Sequence, residues 1–281
     1  MHHATGSIIG LNNTEIFTQH WLPDSAPRAV VLIAHGYAEH SGRYAHVAAH
    51  LVAHGFAAYA LDHRGHGRSG GPRVDVRDFA EFVADLRTYF NAIRADHPAA
   101  PIFLYGHSMG SLISLLFALR WQEELAGLIT TGTALRPAGA NPVLEPLVRA
   151  LSRVLPSVAL VPPIAAAGIS RDPQVVERYL HDPLVHVGRI RLGLASALLR
   201  ASRTCAGRLG DLRLPYLALH GGADVITWPT GAAIIRERSG SPDTTVRIFD
   251  GLFHEVHNEP EQAEVLRTVT DWLDAHLQEA V

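Results

Sequence analysis

Ile102-Phe103-Leu104-Tyr105-Gly106-His107-Ser108-Met109-Gly110-Ser111-Leu112-Ile113 is the stretch on which the fold is read. Its first four residues are apolar without alternation, as in a strand buried on both faces. Residues 112–119 continue as an apolar helix. Between the two, Gly106-His107-Ser108-Met109-Gly110 has the spacing G-x-S-x-G. A serine on a sharp strand-to-helix turn is held in a strained backbone conformation, and the flanking glycines let neighbouring chain pass without Cβ clashes. Such a turn lifts the hydroxyl clear of the sheet and sets the next amide, Met109 N–H, at the start of a helix. Five letters recur by chance, so the strand before and the helix after carry the weight.

Working outward, the runs 29–34 and 56–61 also read as buried strands. Between them Val47, Leu51 and Val52 have helical spacing, as do Phe79, Phe82, Val83, Leu86, Phe90 and Ile93 further on. A strand over 125–131 follows the central helix. This alternation predicts an α/β fold with a mostly parallel, doubly wound sheet. Two alternating runs, 7–11 and 15–21, flank Asn12-Asn13 and predict an opening hairpin. The pattern breaks over 134–204, where prolines at 137, 142, 146, 156, 162 and 163 separate short amphipathic pieces and no strand is evident. That segment reads as a helical insertion between two core strands, leaving 1–133 and 205–281 as the core. A strand at 216–220, a helix at 231–238, a strand at 245–249 and a helix at 263–277 complete the sheet.

Composition excludes several classes. Of 281 residues, 47% are hydrophobic and 18% charged, which fits a globular chain and not a disordered one. A net charge of −3 leaves no basic field for nucleic acid. The single cysteine, Cys205, allows no internal disulfide and is expected to be a small buried side chain in a reducing compartment. Lysine is absent and all basic residues are arginine, which suggests the coding bias of a GC-rich bacterium. The N-terminal residues lack the apolar core of a signal peptide, and no run approaches the roughly 18 apolar residues of a membrane span. A cytoplasmic protein is expected.

A serine hydroxyl is a poor nucleophile near neutral pH and needs a base. In strand-turn-helix sites of this kind the order along the chain is Ser, then Asp or Glu, then His. Asp224, after the strand at 216–220, and His254, after the strand at 245–249, fit that order and lie at the carboxyl ends of strands. Asp243 and Asp250, at the two ends of the latter strand, remain open as alternatives for the acid. His35-Gly36-Tyr37 follows the first buried strand, so Tyr37 N–H and Met109 N–H are the expected oxyanion donors. His46, His50 and His54 share a helical spacing, but no carboxylate or cysteine completes a ligand set. His254-Glu255-Val256-His257 is one residue short of H-E-x-x-H. No metal and no cofactor are expected.

With these residues in view, the chain resembles the monoacylglycerol lipase family, within the α/β-hydrolase fold. The likeness spans 21–272 and rests on His35-Gly36-Tyr37-Ala38-Glu39-His40-Ser41-Gly42-Arg43-Tyr44, on Asp62-His63-Arg64-Gly65-His66-Gly67-Arg68-Ser69-Gly70 and on the Ser108 turn. Ser170-Arg171-Asp172-Pro173 and Asp182-Pro183-Leu184 match the family's cap. The resemblance implies hydrolysis of monoacylglycerol to glycerol and fatty acid beneath a cap formed by 134–204. It implies a triad of Ser108, Asp224 and His254, with Glu39, Arg43, Tyr179 and His257 at the glycerol end. Glu39 and Arg43 fit equally well as an ion pair bracing the oxyanion loop. Ala38 and Ser111 stand where many relatives have glycine. The implied partner is a lipid ester, with peripheral membrane contact through the cap and a homodimer left open. A lysophospholipase, a broad short-chain esterase and a catalytically silent ligand-binding relative are the competing readings.

Overall fold

The computed structural model describes residues 1–137 and 145–278. An opening hairpin of β1 (His2–Ile9) and β2 (Glu15–Leu22) is followed by β3 (Val30–Ala34), α1 (Ala45–Ala53), β4 (Ala57–Leu61) and α2 (Phe79–Asp96). Next come β5 (Ile102–His107), α3 (Met109–Trp121) and β6 (Gly127–Thr131). A long excursion then carries α4 (Glu145–Val154), β7 (Ala159–Val161), α5 (Pro173–His181), β8 (Ile190–Arg191) and α6 (Leu192–Arg208). The chain returns through β9 (Tyr216–Gly221), α7 (Thr230–Arg238), β10 (Thr244–Phe249) and α8 (Gln262–Gln278). Eight strands form one sheet in the order β1-β2-β4-β3-β5-β6-β9-β10. The hairpin joins it antiparallel, and every pairing from β4 to β10 is parallel.

The lack of alternation in the strands has its reason here. Val30, Leu32, Leu104 and Leu128 point into one core with α2, α3 and α6. Val31, Ile33, Phe103 and Ile129 point into another with α1 and α8. Both faces of the sheet are covered, so successive residues are apolar.

The segment between β6 and β9 departs from the sequence reading in two ways. It contains a strand pair, β7 and β8, antiparallel and short. Three and two residues are too few for a periodicity to show. Its last helix, α6, also runs unbroken through 204/205, where the insertion was expected to end. Leu194, Ala197, Ala201 and Cys205 are buried in the core that contains α3, and Cys205 Sγ–H points at the Leu112 carbonyl, 3.7 Å away. This helix thus packs as part of the core although it begins in the excursion. Pro142 lies outside the described residues.

Candidate active site

Ser108 sits where β5 passes into α3, with φ 51° and ψ −115°. That region is unfavourable for a residue with a Cβ and persists only because the surroundings enforce it. The flanking glycines explain how. A Cβ on Gly106 would lie 2.5 Å from the Gly110 carbonyl oxygen, and one on Gly110 would lie 2.0 Å from the Ala34 carbonyl oxygen. The turn is therefore packed tightly against β3, and no other residue fits at either position. Ser111 has a use that its departure from glycine did not reveal. Its hydroxyl donates to the Ser108 carbonyl at 2.5 Å and accepts from Ala134 N–H at 3.2 Å, tying the turn to the loop after β6.

His254 Nε2 lies 2.9 Å from Ser108 Oγ, and its Nδ1 lies 2.7 Å from Asp224 Oδ2. Of the three aspartates left open by the sequence, only Asp224 reaches His254; Asp243 pairs with His276 and Asp250 is exposed. Asp224 is fully engaged. Oδ1 accepts from Ile226 N–H and Thr227 N–H, and Oδ2 accepts from the Thr227 hydroxyl as well as from His254. His220 Nε2 lies 3.1 Å from the same oxygen. Burial would raise the Asp224 pKa, but His254 and His220 outweigh it and hold the carboxyl well below the usual range. Burial likewise disfavours a charged His254, yet Asp224 first, then Glu255 and Glu39, raise its pKa above the ordinary value.

Tyr37 N–H and Met109 N–H have no acceptor among the described residues, and Tyr37 lines the same small cavity as Ser108 and His254. Ala38 follows in the left-handed region at φ 69°, where a β-carbon is strained. Its carbonyl accepts from His186 N–H of the excursion at 2.8 Å. On the other side, Glu255 N–H donates to the Ile169 carbonyl at 2.8 Å and His254 N–H to the Gly168 carbonyl at 3.4 Å. Main-chain bonds thus fasten the excursion to both the loop after β3 and the loop that carries His254.

Glu39 and Arg43 form a brace. Glu39 Oε1 accepts from Gly36 N–H and the Tyr44 hydroxyl, both at 2.7 Å, and Arg43 donates to Oε2 at 2.5 Å. The same guanidinium makes two 2.7 Å bonds to Glu255 and lies 5.0 Å from the Tyr179 ring centre. Burial would raise the Glu255 pKa, but Arg43 pulls it down to about 2. Glu255, which follows the base directly, was missed in the sequence because its partner lies over two hundred residues earlier. Thr227, whose hydroxyl touches both Asp224 and His254 Nδ1, was missed although it lies only three residues after Asp224, because a lone threonine in a loop carries no spacing signal.

Of the four residues expected at the glycerol end, Glu39 and Tyr179 line the cavity. Arg43 lies immediately behind them. His257 requires a correction. It is fully buried between Tyr44, at 5.0 Å, and His107, at 4.8 Å, and does not reach the cavity. Three residues beyond His254 the chain has entered a short 3₁₀ turn, Val256–Asn258, which turns the ring inward. Both of its ring nitrogens lack hydrogen-bond partners among the described residues. The cavity itself measures only about 10 Å³, room for one water molecule at most.

Residues 25–261 match the family model described as "Serine aminopeptidase, S33" (Hydrolase_4). A protein named monoacylglycerol lipase from Mycolicibacterium smegmatis is 42% identical over 96% of this chain and 97% of its own length. The monoglyceride lipase of Rattus norvegicus is 33% identical over 95% and 89%. The crystal structure of the Paleococcus ferrophilus monoacylglycerol lipase superimposes with a TM-score of 0.83 at 30% identity, covering 93% of this chain and 99% of that one. With its Ser108 turn and eight-stranded, mostly parallel sheet, the chain belongs to this serine hydrolase family of α/β-hydrolase fold, in the company of the monoacylglycerol lipases.

Proposed function

We propose that this protein hydrolyses monoacylglycerol to glycerol and a fatty acid through an acyl-enzyme. Ser108 Oγ attacks the ester carbonyl while His254 Nε2 takes its proton. Tyr37 N–H and Met109 N–H hold the oxyanion, each such donor being worth about 2.7–4 kcal/mol where it has been measured. Asp224 keeps the proton of the neutral imidazole on Nδ1 and stabilises the imidazolium without accepting its proton. The imidazolium then protonates the departing glycerol oxygen. Water, activated by the same base, attacks the acyl-enzyme, and the fatty acid leaves. The single observation that carries this reading is the unbroken line of Ser108, His254 and Asp224 at 2.9 and 2.7 Å.

The excursion from α4 to β8 acts, in this proposal, as a cap. Ligand pockets measure about 300–1,000 Å³, whereas the space over Ser108 is about 10 Å³. The cap must therefore open to admit an acyl chain. Ile164 and Ile169 face that space and offer the start of an acyl wall.

Selectivity for a glycerol ester needs more than an apolar tunnel, because each buried CH₂ contributes about 0.8 kcal/mol whatever the alcohol. It needs polar groups that lose a partner when the glycerol hydroxyls are absent. Tyr179 fits that role, since it lines the cavity and its hydroxyl has no hydrogen bond among the described residues. Tyr179→Phe is expected to lower kcat/KM on a monoacylglycerol about tenfold, one hydrogen bond in scale. A p-nitrophenyl ester of the same chain should barely change. The decisive experiment sets mono-, di- and triacylglycerols against that ester for both proteins. Equal rates on all glycerides, or equal losses on both ester types, would turn the assignment towards a general esterase.

Peripheral contact with lipid is part of the same proposal. Among the described residues no helix is long and apolar enough to cross a membrane. Leu147, Val154, Leu155, Val158 and Leu160 are nevertheless each exposed in the cap, Leu160 at 52%. Adsorption to neutral vesicles should be weak and insensitive to salt, and Leu160→Asp with Val154→Asp should reduce it in a flotation assay. Unchanged flotation would count against membrane contact. Ile164 is a poor probe for this purpose because it faces the cavity.

A further inference from the structure

A groove of about 600 Å³ lies between α2, α3 and α6, and none of its lining residues is shared with the Ser108 cavity. Its floor is apolar, formed by Phe79, Val83, Leu116, Ala197 and Ala201. Its rim is cationic. Arg87 and Arg120 both line it, each within 5 Å of the Trp121 ring centre, at 4.8 and 4.6 Å. Arg200 stands on α6 across from them. Arg87 is paired with Glu124 at 2.7 Å. Arg120 and Arg200 have no carboxylate partner among the described residues, and Arg200 donates only to the neutral Ser196 hydroxyl and the Arg77 carbonyl. One carboxylate, Asp78, lines the groove, and it is occupied as the cap of α2, accepting from Ala80 N–H at 3.0 Å.

An apolar trough with unneutralised guanidinium groups at its edge complements a molecule with a long alkyl chain and one anionic head. We propose that this groove binds a long-chain carboxylate, the chemical class of the product; the link to product rests on the function proposed above, the binding itself does not. A single amphiphile suits the shape better than a bilayer. The strongly exposed apolar side chains, such as Leu147, Val154, Leu160 and Trp228, all lie outside the groove, whose apolar floor is recessed between helices. Leu116, Arg120 and Trp121 belong to the far end of α3, the 13-residue helix that starts beside the nucleophile. That end lies about 18 Å from Ser108 at 1.5 Å per residue. An occupant would touch α2 and α3 on one side and α6 on the other.

The test uses the full chain with Ser108 first capped by a hexadecyl fluorophosphonate, which fills the catalytic site. Dodecanoate, dodecyltrimethylammonium and dodecanol are then titrated by calorimetry below their micelle concentrations. One saturable dodecanoate site is expected, with the cation binding at least tenfold more weakly. Arg120→Gln with Arg200→Gln should weaken dodecanoate at least tenfold, the scale of a charge-assisted bond, and Ala84→Phe should close the groove from α2. Uncapped samples of these variants should hydrolyse p-nitrophenyl butyrate at the wild-type rate, which establishes that they fold. Absence of a saturable site, equal affinity for the cation, or unaltered binding in both variants would overturn the proposal. So would binding to phosphatidylserine vesicles without binding to dodecanoate, which would assign the arginines to a lipid surface. Failure of the phosphonate to label would instead sink the esterase reading, and a Ser108→Ala protein would still report on the groove.

Discussion

Ser108→Ala and His254→Ala are each expected to lower turnover of a simple ester by about 10⁶-fold, with little further loss when the two are combined. The reason is geometric. At 2.9 Å the hydroxyl and Nε2 share one proton, so either residue alone leaves no attacking alkoxide and no base to make one. In the proposed mechanism the residual rate belongs to the two oxyanion amides and to binding, which neither substitution touches. Turnover of a p-nitrophenyl ester, together with labelling by a fluorophosphonate, reads the effect directly. A Ser108→Ala protein that retains a tenth of wild-type activity would remove Ser108 from the chemistry.

Asp224→Asn should cost about 10⁴-fold, through the wrong imidazole tautomer. Asp224 Oδ2 accepts the Nδ1 proton and so leaves the Nε2 lone pair facing Ser108. An amide can present N–H at that place and drive the proton to the other nitrogen. The same carboxylate contributes to the raised pKa of His254, with Glu255 and Glu39 behind it. Because the base must be neutral to act, activity falls as pH drops through that value. The acid limb of kcat/KM is therefore expected above pH 6.5, the ordinary histidine value. Glu255→Gln removes one of the negative charges that favour the imidazolium and should move the limb to lower pH. A limb that stays in place would show that Glu255 acts on the site through structure alone.

How much of this was legible in the sequence follows from what sequence carries. The Ser108 turn, the parallel sheet and the order of Asp224 and His254 are written in local spacing, because a doubly covered strand and a strained turn each require particular residues at fixed offsets. The brace of Glu39, Arg43 and Glu255 was half visible. Glu39 and Arg43 are four residues apart, whereas Glu255 comes to them only through the folding of β10 and its following loop. His257 misled for another reason. The family resemblance implied a place at the glycerol end, but a 3₁₀ turn sends its ring into the interior. The groove rimmed by Arg87, Arg120 and Arg200 has no signal at all in one dimension, since its walls are three separate helices.

The fastening of the segment from β6 to β9 onto the loop after β3 and the loop that carries His254 has a consequence for how such enzymes diverge. His186 N–H to Ala38 O, Glu255 N–H to Ile169 O and His254 N–H to Gly168 O all join main-chain groups. Their formation depends on the path of the backbone and not on which side chains that path carries. Substitutions at Ile164, Ile169 or Tyr179 can therefore reshape what is accepted over Ser108 while the closed register is inherited unchanged. On the proposed reading of this segment as a cap, specificity and closure are separable traits. A lineage could shift between acyl lengths or alcohol groups by single replacements in the cavity lining, with no intermediate that has lost the ability to shut.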